Sequence, residues 1–408
     1  MQSPRISSWG ALVWVLLALL LSPRAAQALE APTRVSVLTM GPGDHPFTRF
    51  GHNAILLEWA DGRDAVYNYG TFEFNGLEGA RDFMGGRFRY WLSVGTLDAT
   101  RRAYGAARRS LVAQELALTT DERAQLFEAL AENARPDNRY YAYDYYRDNC
   151  STRVRDALDA VLGGALERQV TGTGRFTYRQ HTLRLVGQAS LLYFGLDSAL
   201  GRPTDRPISR WQELFLPREL QEELSHAKRP GSGQPLVSAE RLLLAAPRPP
   251  SPSFPPERTL PYLALGSTLG LALAGLGIAA PRYPAARAVL GAVTALLGFV
   301  LGLLGCALLV FAFSKHWAAH DNPSVLASPP WALGLVWYGV RLARGQRSWP
   351  ALGALLAASL LTSTALFGFA VSPPHEPLRQ AALFLPLWAG WLYGAWRAGS
   401  KARIESSN

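Results

Sequence analysis

The sequence predicts an α+β domain outside the cytoplasm, followed by an α-helical membrane domain. Three observations lead there. The opening residues MQSPRISSWGALVWVLLALLLSPRAAQALE place Arg5 before an apolar core at 10–22, with the small-residue triplet Ala26-Gln27-Ala28 behind it; this is the layout of an export signal. Up to about residue 255 the chain mixes strand-like alternation with amphipathic helical stretches. From about residue 260 onward it is dominated by apolar runs with few charges.

These boundaries give a signal peptide at 1–28, cleaved after Ala28 or retained as an anchor, and an exported domain at 29–245. A Pro-rich linker follows at 246–259, then a membrane domain at 260–397 with about five transmembrane helices, and a cytoplasmic tail at 398–408. The net charge of +10 is not by itself a nucleic-acid signal, because arginines beside membrane spans set topology. The chain has two cysteines, Cys150 and Cys306, and Cys306 lies in an apolar run. That excludes a disulfide framework and leaves Cys150 as a lone thiol in an exported domain.

In chain order, TRVSVLTM at 33–40 reads as a strand and GPGDHPFTRF at 41–50 as a loop. Asn53–Trp59 and Ala65–Tyr69 read as two antiparallel strands across the turn Ala60-Asp61-Gly62-Arg63, with His52 at the mouth of the pair. A short helix, a Gly-Gly turn and a strand start follow at 77–90, and 91–98 extends or pairs that strand. Residues 99–118 carry both helical and strand character and stay open. Thr120 begins a helix to about Asn133, with Ala124, Leu126, Phe127, Leu130 and Ala131 on one face. A tyrosine-rich stretch then leads to DNCSTRVRDALDAVL, where Cys150 opens a helix. Beyond it come a helix holding His181, a turn-rich segment with one short helix at 195–220 and a final strand at 236–245. The five apolar runs lie near 260–280, 287–313, 330–343, 350–371 and 379–397; a span needs ~20 residues, which makes 330–343 short. With the first domain outside, Arg282, Arg287, Arg341, Arg344, Arg347, Arg397, Lys401 and Arg403 all fall inside, while His316, His320, Asn322 and His375 fall on the side of Cys150.

A cysteine at a helix start faces free N–H groups and the positive end of the helix dipole, both of which favour the thiolate. The competing reading is a buried packing residue. A thiol nucleophile needs a base, and His52 is the best candidate; His45 suits a turn, and His181 with Arg179 and Arg184 suits an anion contact. Asn68, Glu58 and Asp44 are candidates to hold the imidazole, with Asn68 preferred from its strand position. Asn149 and the Cys150 N–H could bind an oxyanion, and Asn149 could equally cap the helix. The histidines are scattered, and His316 and His320 have helical spacing but no evident third ligand, so no metal or other cofactor is expected.

The segments GHNAILLEW, VYNYGTFEF and YDYYRDNCSTRVRDAL, with GRPTDRPISRWQELFLPREL further on, resemble the Lnb N-terminal periplasmic domain, a family long without an assigned function. The likeness covers about residues 35–240. It implies a circularly permuted papain-like (NlpC/P60-like) domain followed by an α-helical transmembrane bundle, with the family's histidine at His52 and its cysteine at Cys150. It further implies a bacterial inner-membrane enzyme with its soluble domain in the periplasm. Such an enzyme moves an acyl chain through a cysteine thioester to the N-terminal amine of a diacylated lipoprotein. The donor is a membrane phospholipid or the lipoprotein's own ester. His316, His320 and Asn322 resemble the polar outer loop of such modules and are candidate substrate contacts. Two other classes stay open: a membrane-anchored cysteine peptidase or amidase acting on the cell wall or envelope, and a non-enzymatic anchored binding module with a structural cysteine.

Overall fold

A computed structural model of the protein describes residues 30–73, 76–86, 88–346, 349–373 and 376–400. The signal segment, His375 and residues 401–408 lie outside the described residues.

The N-terminal domain is built on a seven-stranded sheet. Its strands are β1 (Arg34–Met40), β2 (His52–Glu58), β3 (Asp64–Phe72), β4 (Arg89–Gly95), β5 (Leu111–Leu116), β6 (Tyr140–Ala142) and β7 (Val237–Leu244). The spatial order is β6-β4-β3-β2-β1-β5-β7, and every neighbouring pair is antiparallel. The expected hairpin is the β2–β3 pair, and β1 flanks β2 with Met40 opposite His52. The longer helices around the sheet are α1 (Gly76–Met84), α2 (Leu97–Ala106), α3 (Thr120–Asn133), α4 (Cys150–Val161), α5 (Tyr178–Val186), α6 (Ser190–Ala199) and α7 (Pro217–His226).

Alternation along the central strands sends apolar side chains to both faces, which is why the sheet is buried on two sides. Val35, Val37, Ile55, Leu57, Tyr67 and Tyr69 pack with Leu126 of α3 and with Cys150, Val154 and Leu158 of α4. Leu38, Met40, Ala54, Leu56 and Val66 pack on the other face, with Tyr104 of α2 against them. The segment 99–118, ambiguous in sequence, divides between α2 and β5. Arg108 turns the chain between them with φ 51°.

Five longer helical elements follow the Pro-rich linker: α8 (Thr259–Ala279), α9 (Pro284–Ala312), α10 (Gly334–Ala343), α11 (Trp349–Val371) and α12 (Leu378–Ser400). Among the described residues, three helices, α8, α9 and α11 from Pro350, are long and apolar enough to cross a membrane. Of the roughly five expected transmembrane segments, α10 and α12 do not reach that length and apolarity. At 1.5 Å per residue α10 extends only ~15 Å, about half a hydrocarbon core, because Pro329 and Pro330 interrupt the apolar run before it. The fifth helix, α12, has 23 residues but carries Arg379 and Gln380 in its first turn and Arg397 in its last.

Small residues join these helices. A Cβ on Gly390 would sit 2.0 Å from the Gly270 carbonyl oxygen, and one on Gly277 would sit 2.2 Å from the Gly394 Cα. Backbone contact of this closeness is open only to residues without a side chain, the basis of glycine-mediated helix pairing in membranes. Gly266 meets Leu383, Gly270 meets Pro386 and Gly277 meets Gly394, so α8 and α12 run parallel.

Candidate active site

Cys150 is the first residue of α4 and is buried. Asn149 caps the helix: its Oδ1 accepts from the N–H of Ser151 at 2.8 Å and of Thr152 at 2.9 Å. Its Nδ2 donates to the carbonyls of Tyr145 (2.7 Å) and Phe215 (2.9 Å). Both ends of that amide are spent, so the oxyanion role considered for the Asn149 side chain is replaced by the capping role. With the Ser151 N–H taken by that cap, the backbone N–H groups of Asn53 and of Cys150 itself favour the thiolate. The expectation that the helix start alone lowers the thiol pKa is corrected. Burial is the largest effect and raises it, and the nearby backbone N–H groups and the Arg109 charge oppose that rise without cancelling it.

His52 enters from the neighbouring strand. It lines a cleft of about 510 Å³ together with Asn68, Gly70, Ser93, Tyr104 and Arg109. Burial pushes the His52 pKa down to about 4, helped by the Arg109 charge and opposed by a side-chain hydrogen bond with Asn68. The imidazole is therefore neutral at neutral pH. Continuing the β2–β3 register puts His52 across from Gly70 and on the same face as Asn68. The structure thus brings the preferred orienter to the imidazole. It does not bring Glu58, which lies at the far end of β2 and pairs with Arg34 at 2.6 Å and Arg241 at 3.6 Å. Asp44 pairs with Arg248 through two hydrogen bonds of 2.7 and 2.8 Å.

Strand alternation sets His52 beside Met40 on the α2 face, and Asn53 on the α4 face. Cys150 and His52 thus approach the same strand end from two sides. Among the described residues no direct hydrogen bond joins them. Asn53 links the two through its backbone, and its side chain, fully buried, donates to Thr39 Oγ1 at 2.9 Å. Gly70 closes the other side: a Cβ there would lie 3.8 Å from Cys150 Cβ.

Sequence reasoning missed Arg109 and Asn53. Arg109 stood in the unassigned segment, and no local pattern marks a buried arginine. Asn53 was read only as the first residue of a strand. The remaining candidates have other work. His181 is fully buried with Nε2 2.6 Å from Glu213, and Arg179 is held by Asp205 at 2.5 Å, so neither is open to an anion. His316 Nε2 bonds the Phe83 carbonyl at 2.7 Å, His320 Nε2 bonds the Ser314 carbonyl at 2.7 Å, and Asn322 donates to the Ser198 carbonyl at 2.8 Å. Through His316 and Asn322 the polar outer loop docks the helical domain to the N-terminal domain, while the His320 bond stays within the loop. Arg379 of α12 completes the junction at 2.9 Å from Asp197.

Aromatic rings connect cleft and membrane domain. Phe47 and Phe72, both lining the cleft, meet at 5.6 Å between centroids. Phe72 meets Phe88 at 5.7 Å, Phe88 meets Phe83 at 6.2 Å, and Phe83 stacks on His316 at 4.5 Å. His316 lies 6.2 Å from Phe311 in the last turn of α9.

Fold and site define a mixed α+β domain with a cleft lined by His52, Asn68 and Arg109, followed by a helical domain with membrane-length helices. Residues 22–186 match the family model of the Lnb N-terminal periplasmic domain. No curated protein matches the chain, and no solved structure does. With its membrane-length helices, the match places the chain as a multi-pass inner-membrane protein whose N-terminal domain is periplasmic. Among the described residues no group of three or more His, Cys, Asp or Glu side chains is arranged to hold a metal.

Proposed function

We propose that the chain is a membrane-tethered periplasmic cysteine acyltransferase, which passes an acyl chain through a Cys150 thioester to the N-terminal amine of diacylated lipoproteins. The observation that carries this reading is the setting of Cys150: it opens a helix capped by Asn149, and Gly70, which lines the cleft, lies against it. A cysteine serving only to pack has no need of such a setting. The aromatic run from the cleft to α9 suits an acyl chain, and docking to the membrane domain keeps the site near lipid-bound substrates. The permuted papain-like architecture and the division into 29–245, 246–259 and 260–397 belong to the same proposal.

In the first half-reaction the sulfur attacks the ester carbonyl of the donor, a phospholipid or the lipoprotein's own ester. The C–O bond breaks, His52 carries the thiol proton, and the leaving alkoxide receives it. In the second, the lipoprotein amine attacks the thioester, the C–S bond breaks, and the amine proton passes by way of His52 to the sulfur. At rest the proton stays on sulfur, since burial raises the thiol pKa and lowers that of the imidazole. Its transfer is therefore coupled to the attack, as sulfur charge moves onto the carbonyl oxygen. The Cys150 backbone N–H stabilises that oxygen. Asn68 holds the imidazole.

The test incubates purified protein in liposomes with a diacylated lipopeptide and labelled phospholipid. Label on the peptide amine supports intermolecular transfer. An unlabelled peptide whose own ester chain has moved to nitrogen supports transacylation. An unmodified peptide, with Cys150 never trapped as a thioester, rejects both and leaves cell-wall hydrolysis, with water replacing the amine, as the reading to pursue. Full activity in Cys150→Ser would end any thiol mechanism.

A further inference from the structure

One helix of the N-terminal domain turns its apolar side outward. In α1, helical spacing puts Leu77, Phe83 and Met84 on one side and Glu78 and Asp82 on the other. Leu77 is 91 % exposed, and Phe83 is exposed as well. A helix that served only to cover its own sheet would bury these two residues. Phe47, at the cleft, is 63 % exposed. The ring contacts from Phe47 through Phe72 and Phe88 to Phe83 make the helix and the cleft mouth one apolar surface. A continuous exposed surface of this kind marks a place of contact with a partner.

The position of this surface says what the partner is. Phe83 stacks on His316 at 4.5 Å, and His316 lies just past the end of α9. With 29 residues, α9 extends ~43 Å at 1.5 Å per residue, about the thickness of a bilayer with its headgroups. The chain enters the membrane from the N-terminal domain along α8, where Arg258 donates to the Gly187 carbonyl at 2.6 Å, and α9 brings it back. The end of α9 therefore lies in the interfacial layer on the periplasmic side. Leu309 and Val310 in its last turns are exposed, and its C-cap, Phe313, is 85 % exposed; on a membrane-length helix such side chains meet lipid. One ring contact away, α1 continues that surface at the same depth.

We infer that α1 lies in the periplasmic leaflet of the membrane, with Leu77 and Phe83 among the upper acyl chains and Glu78 and Asp82 towards water. Amphipathic helices of this kind sink ~5–10 Å into the boundary between headgroups and chains. The cleft then opens onto lipid at Phe47 and Phe72, and a lipid chain enters it sideways from the leaflet without crossing water. The inference goes beyond the acyl-transfer reading and makes no use of Cys150.

The experiment uses the full-length wild-type protein in vesicles of phosphatidylcholine and phosphatidylglycerol. A fraction of the phosphatidylcholine carries a diazirine on the upper acyl chain. Illumination expels nitrogen, the carbene inserts into the side chain it meets, and peptide mass spectrometry locates the adducts. The expected result is adducts within Gly76–Met84 at a level like that around Phe313. None above background is expected at the turn holding Asp61, which the length of β3 keeps roughly 25 Å from Phe72. Leu77→Glu, at a site too exposed to matter for folding, should remove most of the α1 adducts and leave those around Phe313. Adducts around Phe313 with none in α1 overturn the inference, and a second copy of the chain covering α1 would give that result together with a dimer. Labelling of α1 that Leu77→Glu leaves unchanged overturns it too. Adducts form without turnover, so this result and the test of acyl transfer can fail separately.

Discussion

The Asn53 backbone N–H favours the Cys150 thiolate, tying β2 to the start of α4 across a long sequence separation. The residue before Asn53 is His52 and the residue before Cys150 is its helix cap, Asn149. One contact therefore brings the two candidate groups, His52 and Cys150, to the same strand end. The predictions below concern what that arrangement and its membrane support require.

The depressed His52 pKa makes stability depend on pH. The unfolded imidazole titrates near 6.5 and the folded one near about 4, so between these values the unfolded chain binds more protons. Stability from this residue is fully present above 6.5 and is lost as pH falls towards about 4. Melting temperature followed from pH 7 downwards should fall more steeply in wild type than in His52→Gln. Parallel curves would show that His52 is not buried neutral.

Gly70 has φ +87°, and its added Cβ would lie 3.4 Å from the Tyr143 ring and 3.8 Å from Cys150 Cβ. Gly70→Ala should cost about 1–2 kcal/mol from backbone conformation alone. It should also slow Cys150 alkylation by crowding the sulfur. Urea unfolding and the alkylation rate measure the two effects separately.

The parallel pair α8–α12 depends on glycine contacts. Gly390→Leu should destabilise the membrane domain by at least about 1–3 kcal/mol, the usual cost of overpacking, since its side chain would enter the Gly270 backbone. Unfolding in detergent should show a lower transition for the helices, with α4 and the sheet little affected.

Both α8 and α12 start against the N-terminal domain: Arg258 donates to the Gly187 carbonyl at 2.6 Å, and Arg379 meets Asp197. Running parallel, they end on the opposite side. A reporter fused after Asn408 should therefore read cytoplasmic, and one at Pro252 periplasmic. A periplasmic C-terminal signal would mean that α10 and its neighbours do not carry the chain across as the pairing of α8 with α12 requires.

The sequence by itself determined the two-domain plan, the hairpin opened by His52, the helix opened by Cys150 and the three membrane-length apolar helices. Each is local: alternation marks β2 and β3, a capping residue marks α4, and unbroken apolar length marks α8, α9 and α11. Tertiary structure decided the rest. Asn68 rather than Glu58 reaches His52, because strand register selects one diagonal neighbour. Asn149 became a cap because its amide finds two carbonyls, one of them in the distant Phe215. The outer-loop residues His316 and Asn322 became a docking surface because the N-terminal domain offers them carbonyls. Arg109 entered the site through a turn that no periodicity announces, and burial rather than the helix dipole set the direction of the Cys150 pKa. Such features depend on long-range packing and desolvation, which only the assembled fold supplies.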